Sequence, residues 1–463
     1  MALATTCSND RPTRVRYWVL AAACCLALLT YVNRLGFSVA ASEIKADLGL
    51  SDEQMGYLAS AFLVAYALFQ IPGGLLGDRF GGRNLLTVIV VAWSLLSGAT
   101  ALGVAFPVGA AAPFVFLLIL RFLFGICQAA EFPSLARVMA DWMPVQERGT
   151  AQGAIWTFSR LGGAIVPFLF TWMLAVFGTW PTPFWVMAGL GVLWAVTFWP
   201  WFRNRPSEMP GAVNQGEQQL IAWGRVDESC PRERFPWSRF LKSRDVWGLC
   251  LMYGFVGFGG NFFTSMLPLY LRDHRGLKGL EFAWLSALPL AAGIVSCGVG
   301  GLLSDWIIRR TGSRTWGRRF NGVVGLALAG VATLLIPQVE GVWLLGLLLS
   351  TAFFLNDLNI GPAWAACADV GERHTGTISG AMNMVGSLAG AGGAVLAGSL
   401  FKRGHDDIVF TVYAGTYCLA ALCWLCVRVS KPLADKAASA IPALDVGSLT
   451  DAVAVPEGGA AVR

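Results

Sequence analysis

One stretch of the chain places polar side chains inside an apolar run. Arg121, Gln128 and Glu131 follow the sequence Phe-Val-Phe-Leu-Leu-Ile-Leu, which begins at Phe114. On an α-helix Arg121 and Gln128 share one face, about 10 Å apart along the axis, and Glu131 lies one turn further. A charge in an apolar run is costly, so in a membrane protein it normally faces a bundle interior or a water-filled cavity. We therefore predict that this helix lines a polar pathway.

The composition is that of a membrane protein. Of 463 residues, 56% are hydrophobic and 13% are charged, whereas about 25% of residues are charged in a soluble protein. Twelve apolar segments are long enough to cross a bilayer. They lie near residues 17–41, 55–77, 83–105, 113–138, 150–176, 182–202, 246–271, 282–308, 320–337, 341–368, 375–401 and 408–429. The predicted fold is an all-α membrane protein with twelve transmembrane helices.

The basic residues predict how the helices are oriented. With both termini in the cytoplasm, the inner segments hold 24 Lys and Arg and the outer loops hold 6, as the positive-inside rule requires. This distribution accounts for the net charge of +6 without a nucleic-acid partner. Four basic residues remain inside the apolar segments. Arg137 is close enough to a helix end to snorkel, which leaves Arg34, Arg121 and Arg160 to be explained.

The chain contains an internal repeat. The sequence Gly300-Gly-Leu-Leu-Ser-Asp305 lies 227 residues after Gly73-Gly-Leu-Leu-Gly-Asp78, and the same spacing relates Gly149 to Gly376. Two six-helix halves of this kind usually rock about a site at their interface. We predict a cytoplasmic tail (1–16), an N-terminal half (17–202), a cytoplasmic linker (203–244), a C-terminal half (245–429) and a second cytoplasmic tail (430–463).

The repeated motif resembles a known family. The sequence Gly74-Leu-Leu-Gly-Asp78-Arg79-Phe-Gly-Gly-Arg83 is similar to the signature loop of the major facilitator superfamily. Further stretches resemble its anion:cation symporter family, which includes sugar-acid, phthalate and sialic acid transporters: 31–34, 121–133, 142–153, 261–270, 288–317 and 361–386. The resemblance implies transport by alternating access. It also implies a gate built from Gly74, Asp78, Arg79, Arg83 and Asp305.

Arg34, Arg121 and Arg160 are the candidate anion-binding residues. A guanidinium group holds a carboxylate or phosphate with two parallel hydrogen bonds. The alternative is internal pairing with Glu131 or with carbonyl groups, but one acid cannot pair with three cations. The resemblance implies anion binding by Arg34 and Arg121. It supports Arg160 less, because some relatives carry a neutral polar group at that position.

Six more residues are candidates for substrate contact. Tyr31 and Tyr66 would either donate hydroxyl groups to the substrate or lie in the core. The amide side chains would either bind substrate or hold helices together. The tryptophan would either stack on a substrate ring or fill space. Proton-coupled relatives often carry one acid directly before the arginine of helix 1 and another at the position of Gln128. This chain has Asn33 and Gln128 there, and their amides cannot titrate. The carboxylates of Glu131 and Asp357 are therefore the proton-coupling candidates, with a structural role for Asp357 as the alternative. The six are Tyr31, Tyr66, Gln128, Asn261, Trp364 and Asn383.

The predicted function is secondary active transport of a small organic anion, such as a sugar acid or an aromatic or dicarboxylic acid, with proton or other cation coupling. The alternative is an organophosphate or organic-anion exchanger or uniporter. Such exchangers usually carry a basic residue in each half, where this chain has Asn261. A drug–proton exporter would carry a Gly-Pro pair in helix 5, which is missing.

Other functional classes fit the sequence less well. An enzyme is disfavoured because the three histidines, His274, His374 and His405, fall in predicted loops and form no nucleophile constellation. No cofactor or metal is expected. We expect a monomer in a bacterial inner membrane, surrounded by lipid. The identity of the substrate and the direction of transport stay open.

Overall fold

The computed structural model describes residues 11–107, 111–223 and 235–429. Parts of the predicted tails and linker (1–10, 430–463 and 224–234) lie outside these residues. The described chain is built from helices joined by short turns. Ten segments within it are long and apolar enough to span a membrane, and a bent pair of helices makes an eleventh.

The membrane-spanning segments are numbered here in chain order. They are α1 (Val15–Val39), α2 (Asp52–Leu68 and Gln70–Phe80), α3 (Gly82–Ala105), α4 (Ala111–Trp142), α5 (Val145–Phe177), α6 (Pro181–Trp201), α7 (Arg244–His274), α8 (Gly279–Thr311), α9 (Arg314–Gln338), α10 (Val342–Asp357 and Ile360–Gly371), α11 (Thr375–Phe401) and α12 (Asp406–Cys426).

Helices α10 and α11 form one continuous segment of 60 residues, about twice the length that a bilayer requires. The segment turns at Glu372–His374. On either side of this turn, the sulfur atoms of Cys367 and Met382 are 3.4 Å apart. The two helices therefore run antiparallel as separate crossings, which brings the total to twelve. The predicted fold class is confirmed.

Irregularities in the helices coincide with polar residues. Helix α2 bends by 49° at its break, and α4 is interrupted at Ala130. Pro133 lies just beyond the interruption and has no N–H to donate to the carbonyl of Ala129. Glu131 consequently begins a new helical segment. In α7, a widened turn begins immediately after Asn261, and wide turns of this kind are frequent at functional sites.

Two equivalent contacts join the halves at one end of the molecule, here named the closed end. The Asp78 carboxylate accepts the backbone N–H groups of Gly376 and Thr377 at 2.9 and 2.8 Å. Asp305 accepts those of Gly149 and Thr150 at 3.1 and 2.6 Å. Each carboxylate thus satisfies the free N–H groups at the start of a helix in the other half, where the helix dipole favours negative charge. The repeat found in the sequence relates one contact to the other.

Glycine allows this close approach. A Cβ on Gly376 would lie 2.7 Å from the carbonyl oxygen of Gly74, and a Cβ on Gly149 would lie 3.0 Å from that of Gly301. These two pairs are also related by the spacing of 227 residues. Small residues at helix contacts of this kind let two backbones touch.

The described part of the linker contains two short helices, Gln215–Ala222 and Trp237–Lys242. The first is fastened to the start of α1 by Glu217, which is fully buried. Its carboxylate accepts the backbone N–H groups of Val15 and Arg16, both at 3.2 Å, and the Arg16 guanidinium at 3.1 Å. The start of the linker is thereby packed against the N-terminal half.

Candidate substrate site

Two arginines from different helices converge on one aromatic ring. The guanidinium carbons of Arg34 in α1 and Arg121 in α4 lie 5.6 and 4.9 Å from the centre of the Phe62 ring in α2. Arg34 also lies over Tyr66 at 4.4 Å, and Arg121 lies over Phe37 at 4.3 Å. Aromatic faces attract cations and fix their position. Arg121 is only 7% exposed, so these rings hold its charge inside the membrane.

Neither arginine has a carboxylate partner among residues 11–107, 111–223 and 235–429. Arg34 donates from Nε to the neutral Oε1 of Gln128 at 2.9 Å. Its Nη2 and the Nε of Arg121 are buried without a hydrogen-bond partner. Buried charges are costly unless they are paired. The two guanidinium groups therefore keep hydrogen-bonding capacity that no described residue uses.

Glu131 lies near Arg34 but forms no direct ion pair with it in the described structure. One carboxylate oxygen accepts a hydrogen bond from the Thr30 hydroxyl, and the other is buried without a partner. Gln128 connects the two parts, because its amide also donates to the Thr30 carbonyl at 3.5 Å. Asn33, which stands where proton-coupled relatives have an acid, accepts from Ser97 in α3 at 2.9 Å. Its side chain therefore faces a neighbouring helix of the same half.

The third arginine is paired. Arg160 in α5 donates from Nε and Nη2 to the two carboxylate oxygens of Asp357 in α10, at 2.9 and 3.1 Å. Asp357 also accepts from Asn356 at 2.9 Å and is fully buried. This ion pair joins the two halves. The predicted roles of Arg160 as an anion ligand and of Asp357 as a coupling acid stay predictions.

The amides of the C-terminal half make mostly helix–helix contacts. Asn383 donates to the Tyr66 hydroxyl at 3.2 Å, across the interface between the halves. Asn261 donates to the Gly390 carbonyl at 2.8 Å and accepts from Thr264 and Ser265, both at 3.1 Å. Asn383 therefore lies beside the arginine pair, whereas Asn261 holds α7 against α11.

Aromatic residues separate the arginines from the closed end. Tyr31, one turn before Arg34, packs edge-on against Phe132 and Trp156, with ring centres 6.1 and 6.5 Å apart. Trp364 lies beside Trp156 at 5.4 Å. It is fully buried, and it donates to the Tyr253 hydroxyl at 3.1 Å. The cluster forms a floor of rings contributed by both halves.

At the closed end, the predicted gate residues make different contacts. Asp78 and Asp305 bind helix starts, as described above, and Arg79 lies near the Phe80 ring at 5.4 Å. Arg83 donates to the Trp199 carbonyl at 2.8 Å, within its own half. Its guanidinium group therefore braces α3 against α6.

Sequence reasoning missed a second charge cluster at this end. Arg148 pairs with Asp369 at 2.7 Å, and Arg318 pairs with Asp305 at 2.7 Å and with Asp369 at 3.0 Å. Arg148 directly precedes the repeated Gly149, which was a usable signal. Arg318 lies in a basic loop segment, where nothing marked it as different from its neighbours. A polar contact at mid-depth, between Gln70 and Ser387 at 3.2 Å, was also missed.

The sequence match agrees with this architecture. Residues 23–394 match the family model of the Major Facilitator Superfamily. The chain belongs to this superfamily of membrane transporters and is a multi-pass membrane protein, not an enzyme. The family identified from the sequence motifs is thereby confirmed.

Several named transporters are similar along almost their whole length. The chain is 32% identical to a probable sulfoacetate transporter of Cupriavidus necator, covering 90% of this chain and 94% of that protein. It is 30% identical to a probable galactarate/D-glucarate transporter of Escherichia coli, covering 90% and 93%. It is also 30% identical to a hexuronate transporter of Bacillus subtilis, covering 89% and 94%.

Two solved structures share the fold. The proton:xylose symporter XylE, bound to 6-bromo-6-deoxy-D-glucose, superposes with a TM-score of 0.68 at 15% identity, over 88% of this chain and 94% of that one. The human organic anion transporter MFSD10 superposes with a TM-score of 0.64 at 18% identity, over 90% and 100%. At these identities the likeness concerns the fold alone.

Proposed function

We propose that the protein transports a small organic anion, and that Arg34 and Arg121 bind its anionic group. The observation that carries this proposal is the pair of guanidinium groups that converge on Phe62 without a carboxylate partner. A carboxylate or sulfonate presents several oxygens to such donors and supplies the missing negative charge. The Tyr66 hydroxyl and the Asn383 amide, which are in contact with each other, would recognise the remainder of the molecule.

The similar proteins support this class of substrate. By name they transport sugar acids or sulfoacetate, all of which are small anions with a carboxylate or sulfonate group. Sugar acids and short sulfonated or carboxylated acids are therefore the first compounds to test.

We propose that the closed end faces the cytoplasm, because the loops at this end carry most of the basic residues. The structure would then represent the state in which the cytoplasmic gate is shut and the substrate site is reached from the other side. A bacterial cell membrane suits this arrangement and the bacterial relatives. Rocking of the halves about the site would break the Asp78 and Asp305 contacts and complete the transport cycle.

For energy coupling we propose Glu131 as the group that carries a proton. It has a buried carboxylate oxygen without a partner, and it is connected to Arg34 through Thr30 and Gln128. A proton at Glu131 and an anion at Arg34 would therefore influence each other electrostatically. The competing proposal is anion exchange or uniport without protons, which the amides at positions 33 and 128 favour.

Binding to the purified protein tests the anion proposal. Isothermal titration with D-gluconate, D-glucarate and sulfoacetate should detect at least one ligand, whereas the uncharged polyol D-glucitol should not bind. Arg121→Gln should abolish the signal, and Lys45→Gln, at an exposed ion pair with Asp52, should keep it. Equal binding of D-glucitol and the acids would contradict the proposal.

A further inference from the structure

We infer that Asp357 sets the charge selectivity of the substrate site by masking the positive charge of Arg160. This inference rests on the proposed function and adds a specificity-determining residue to it. If Asp357 did not pair with Arg160, the N-terminal half would present three cations to the substrate. With the ion pair formed, only Arg34 and Arg121 present an uncompensated positive charge. The end of the substrate that approaches α5 and α10 would then need no charge of its own.

The geometry of the ion pair supports a mask. The planar guanidinium of Arg160 meets both carboxylate oxygens of Asp357, at 2.9 and 3.1 Å. Asn356 donates to the same carboxylate at 2.9 Å, and the Cys297 sulfur lies 3.8 Å from it. Paired hydrogen bonds of this kind are strong and geometrically specific. The carboxylate is therefore committed to Arg160 rather than to a ligand.

The arginine is the partner that remains accessible. The Arg160 side chain is 18% exposed, whereas that of Asp357 is 0% exposed. The guanidinium carbon also lies over the Phe353 ring, 5.3 Å from its centre. A ligand in the site would consequently meet Arg160 first and would experience the pair as nearly neutral.

Arg160 belongs to the same region of the molecule as the unpaired arginines. The Arg34 guanidinium lies over the Tyr31 ring, 5.0 Å from its centre. Tyr31 also packs on the α5 backbone at Gly163, where an added Cβ would be 3.6 Å from its ring. An anionic group extending from Arg34 past Tyr31 would thus approach Arg160.

Three variants separate masking from direct binding and from a structural role. Asp357→Asn keeps the size of the side chain and frees the Arg160 charge. Arg160→Gln leaves an unpaired carboxylate at the site. The double variant Arg160→Gln/Asp357→Asn restores neutrality without either charge. Masking predicts opposite effects for the single variants and a parental charge preference for the double variant.

The test uses D-gluconate and D-glucarate, six-carbon acids that differ only at one end, which is a hydroxymethyl group in gluconate and a second carboxylate in glucarate. Their dissociation constants are measured by isothermal titration with full-length protein in lipid nanodiscs. In Asp357→Asn, the ratio of the two constants should shift toward D-glucarate by at least about tenfold, because the second carboxylate gains an uncompensated positive charge nearby. In Arg160→Gln it should shift the other way, and the double variant and the exposed-residue control Glu281→Gln should keep the parental ratio.

The outcomes are separable. If the parent binds neither acid and also fails to bind sulfoacetate, the proposed function fails, and the inference fails with it. If the parent binds an acid but both single variants lose affinity without a change in the ratio, the ion pair is structural and the inference is overturned. If the double variant binds neither acid although it is folded by thermal denaturation, Arg160 is itself a ligand, which also overturns masking.

Discussion

At the scale of single residues, the proposed site depends on two arginines that have no carboxylate partner in the described part of the chain. Their residue types and positions could be recognised in the sequence, because a guanidinium in an apolar segment requires an explanation. The pairing of Arg160 could not be recognised, since its partner lies 197 residues further along the chain. Whether the two meet depends on how the halves dock, which no local pattern encodes.

Arg121→Lys should weaken substrate binding strongly while leaving the folded protein intact. Lysine keeps the charge but lacks the planar fork that holds an oxyanion with two hydrogen bonds, and it stacks less well on Phe62. We expect affinity to fall by at least about tenfold, measured by isothermal titration. Near-parental binding by the lysine variant would show that only a positive charge is needed.

Glu131→Gln tests the coupling proposal. The amide cannot take up or release a proton, so uptake into vesicles driven by an imposed proton gradient should be lost, whereas counterflow exchange of the anion should continue. Asp407→Asn, at the start of α12 and exposed, serves as the control. If Glu131→Gln accumulates substrate as well as the parent does, Glu131 has a structural role.

At the scale of helices, the apolar segments were predictable but their irregularities were only partly so. Pro133 was a visible reason for the interruption of α4 beside Glu131. The bend in α2 at Phe69 has an equivalent cause, because Pro72 follows three residues later and has no N–H to donate to the Leu68 carbonyl. Residues at such irregularities carry polar contacts of the site. The prolines mark in the sequence where the two helices are interrupted, but not the 49° angle of the bend in α2.

Asp78→Asn should weaken the closed end and leave the substrate site unchanged. The asparagine has one acceptor oxygen in place of a carboxylate that receives two backbone N–H groups and the Thr377 hydroxyl. We expect counterflow transport to fall severalfold, and the dissociation constant to stay within about threefold, or about 0.7 kcal/mol. Loss of binding in a folded Asp78→Asn protein would contradict this separation.

Gly376→Ala should also destabilise the closed end, by steric means. Its Cβ would lie 2.7 Å from the Gly74 carbonyl oxygen and 2.8 Å from Asp78 Oδ1, and overpacking of this kind costs about 1–3 kcal/mol. Gly392→Ala in the same helix is the matched control, because the nearest atom is 3.9 Å away. Slower transport by Gly392→Ala than by Gly376→Ala would show that the helix, rather than this contact, is sensitive.

At the scale of the whole molecule, the repeat predicted the architecture and the two equivalent gate contacts. It did not predict that their surroundings differ. Asp305 is fully buried and also binds Arg318, which is itself fully buried, whereas Asp78 is only half-buried. The ion pairs around Asp305 have no counterpart in the motif shared by the two halves, so sequence comparison of the halves could not reveal them.

Asp305→Asn should therefore reduce stability more than Asp78→Asn. The substitution leaves the buried Arg318 with Asp369 as its remaining ion-pair partner, and weakening a buried, hydrogen-bonded charge costs about 1–3 kcal/mol. Thermal denaturation of the two purified variants in the same detergent should show the lower midpoint for Asp305→Asn. Equal midpoints would mean that Asp369 compensates fully.

The reciprocal arrangement of the two gate carboxylates has a consequence for the origin of the molecule. Each half offers one aspartate and one helix start, and each accepts the complementary group from the other half. That is the bonding pattern of a two-fold symmetric dimer, in which one surface patch is complementary to itself. A single ancestral half, paired with an identical copy, would already have possessed a complete closure. Fusion of the two copies would then have freed one of them to acquire the unpaired arginines.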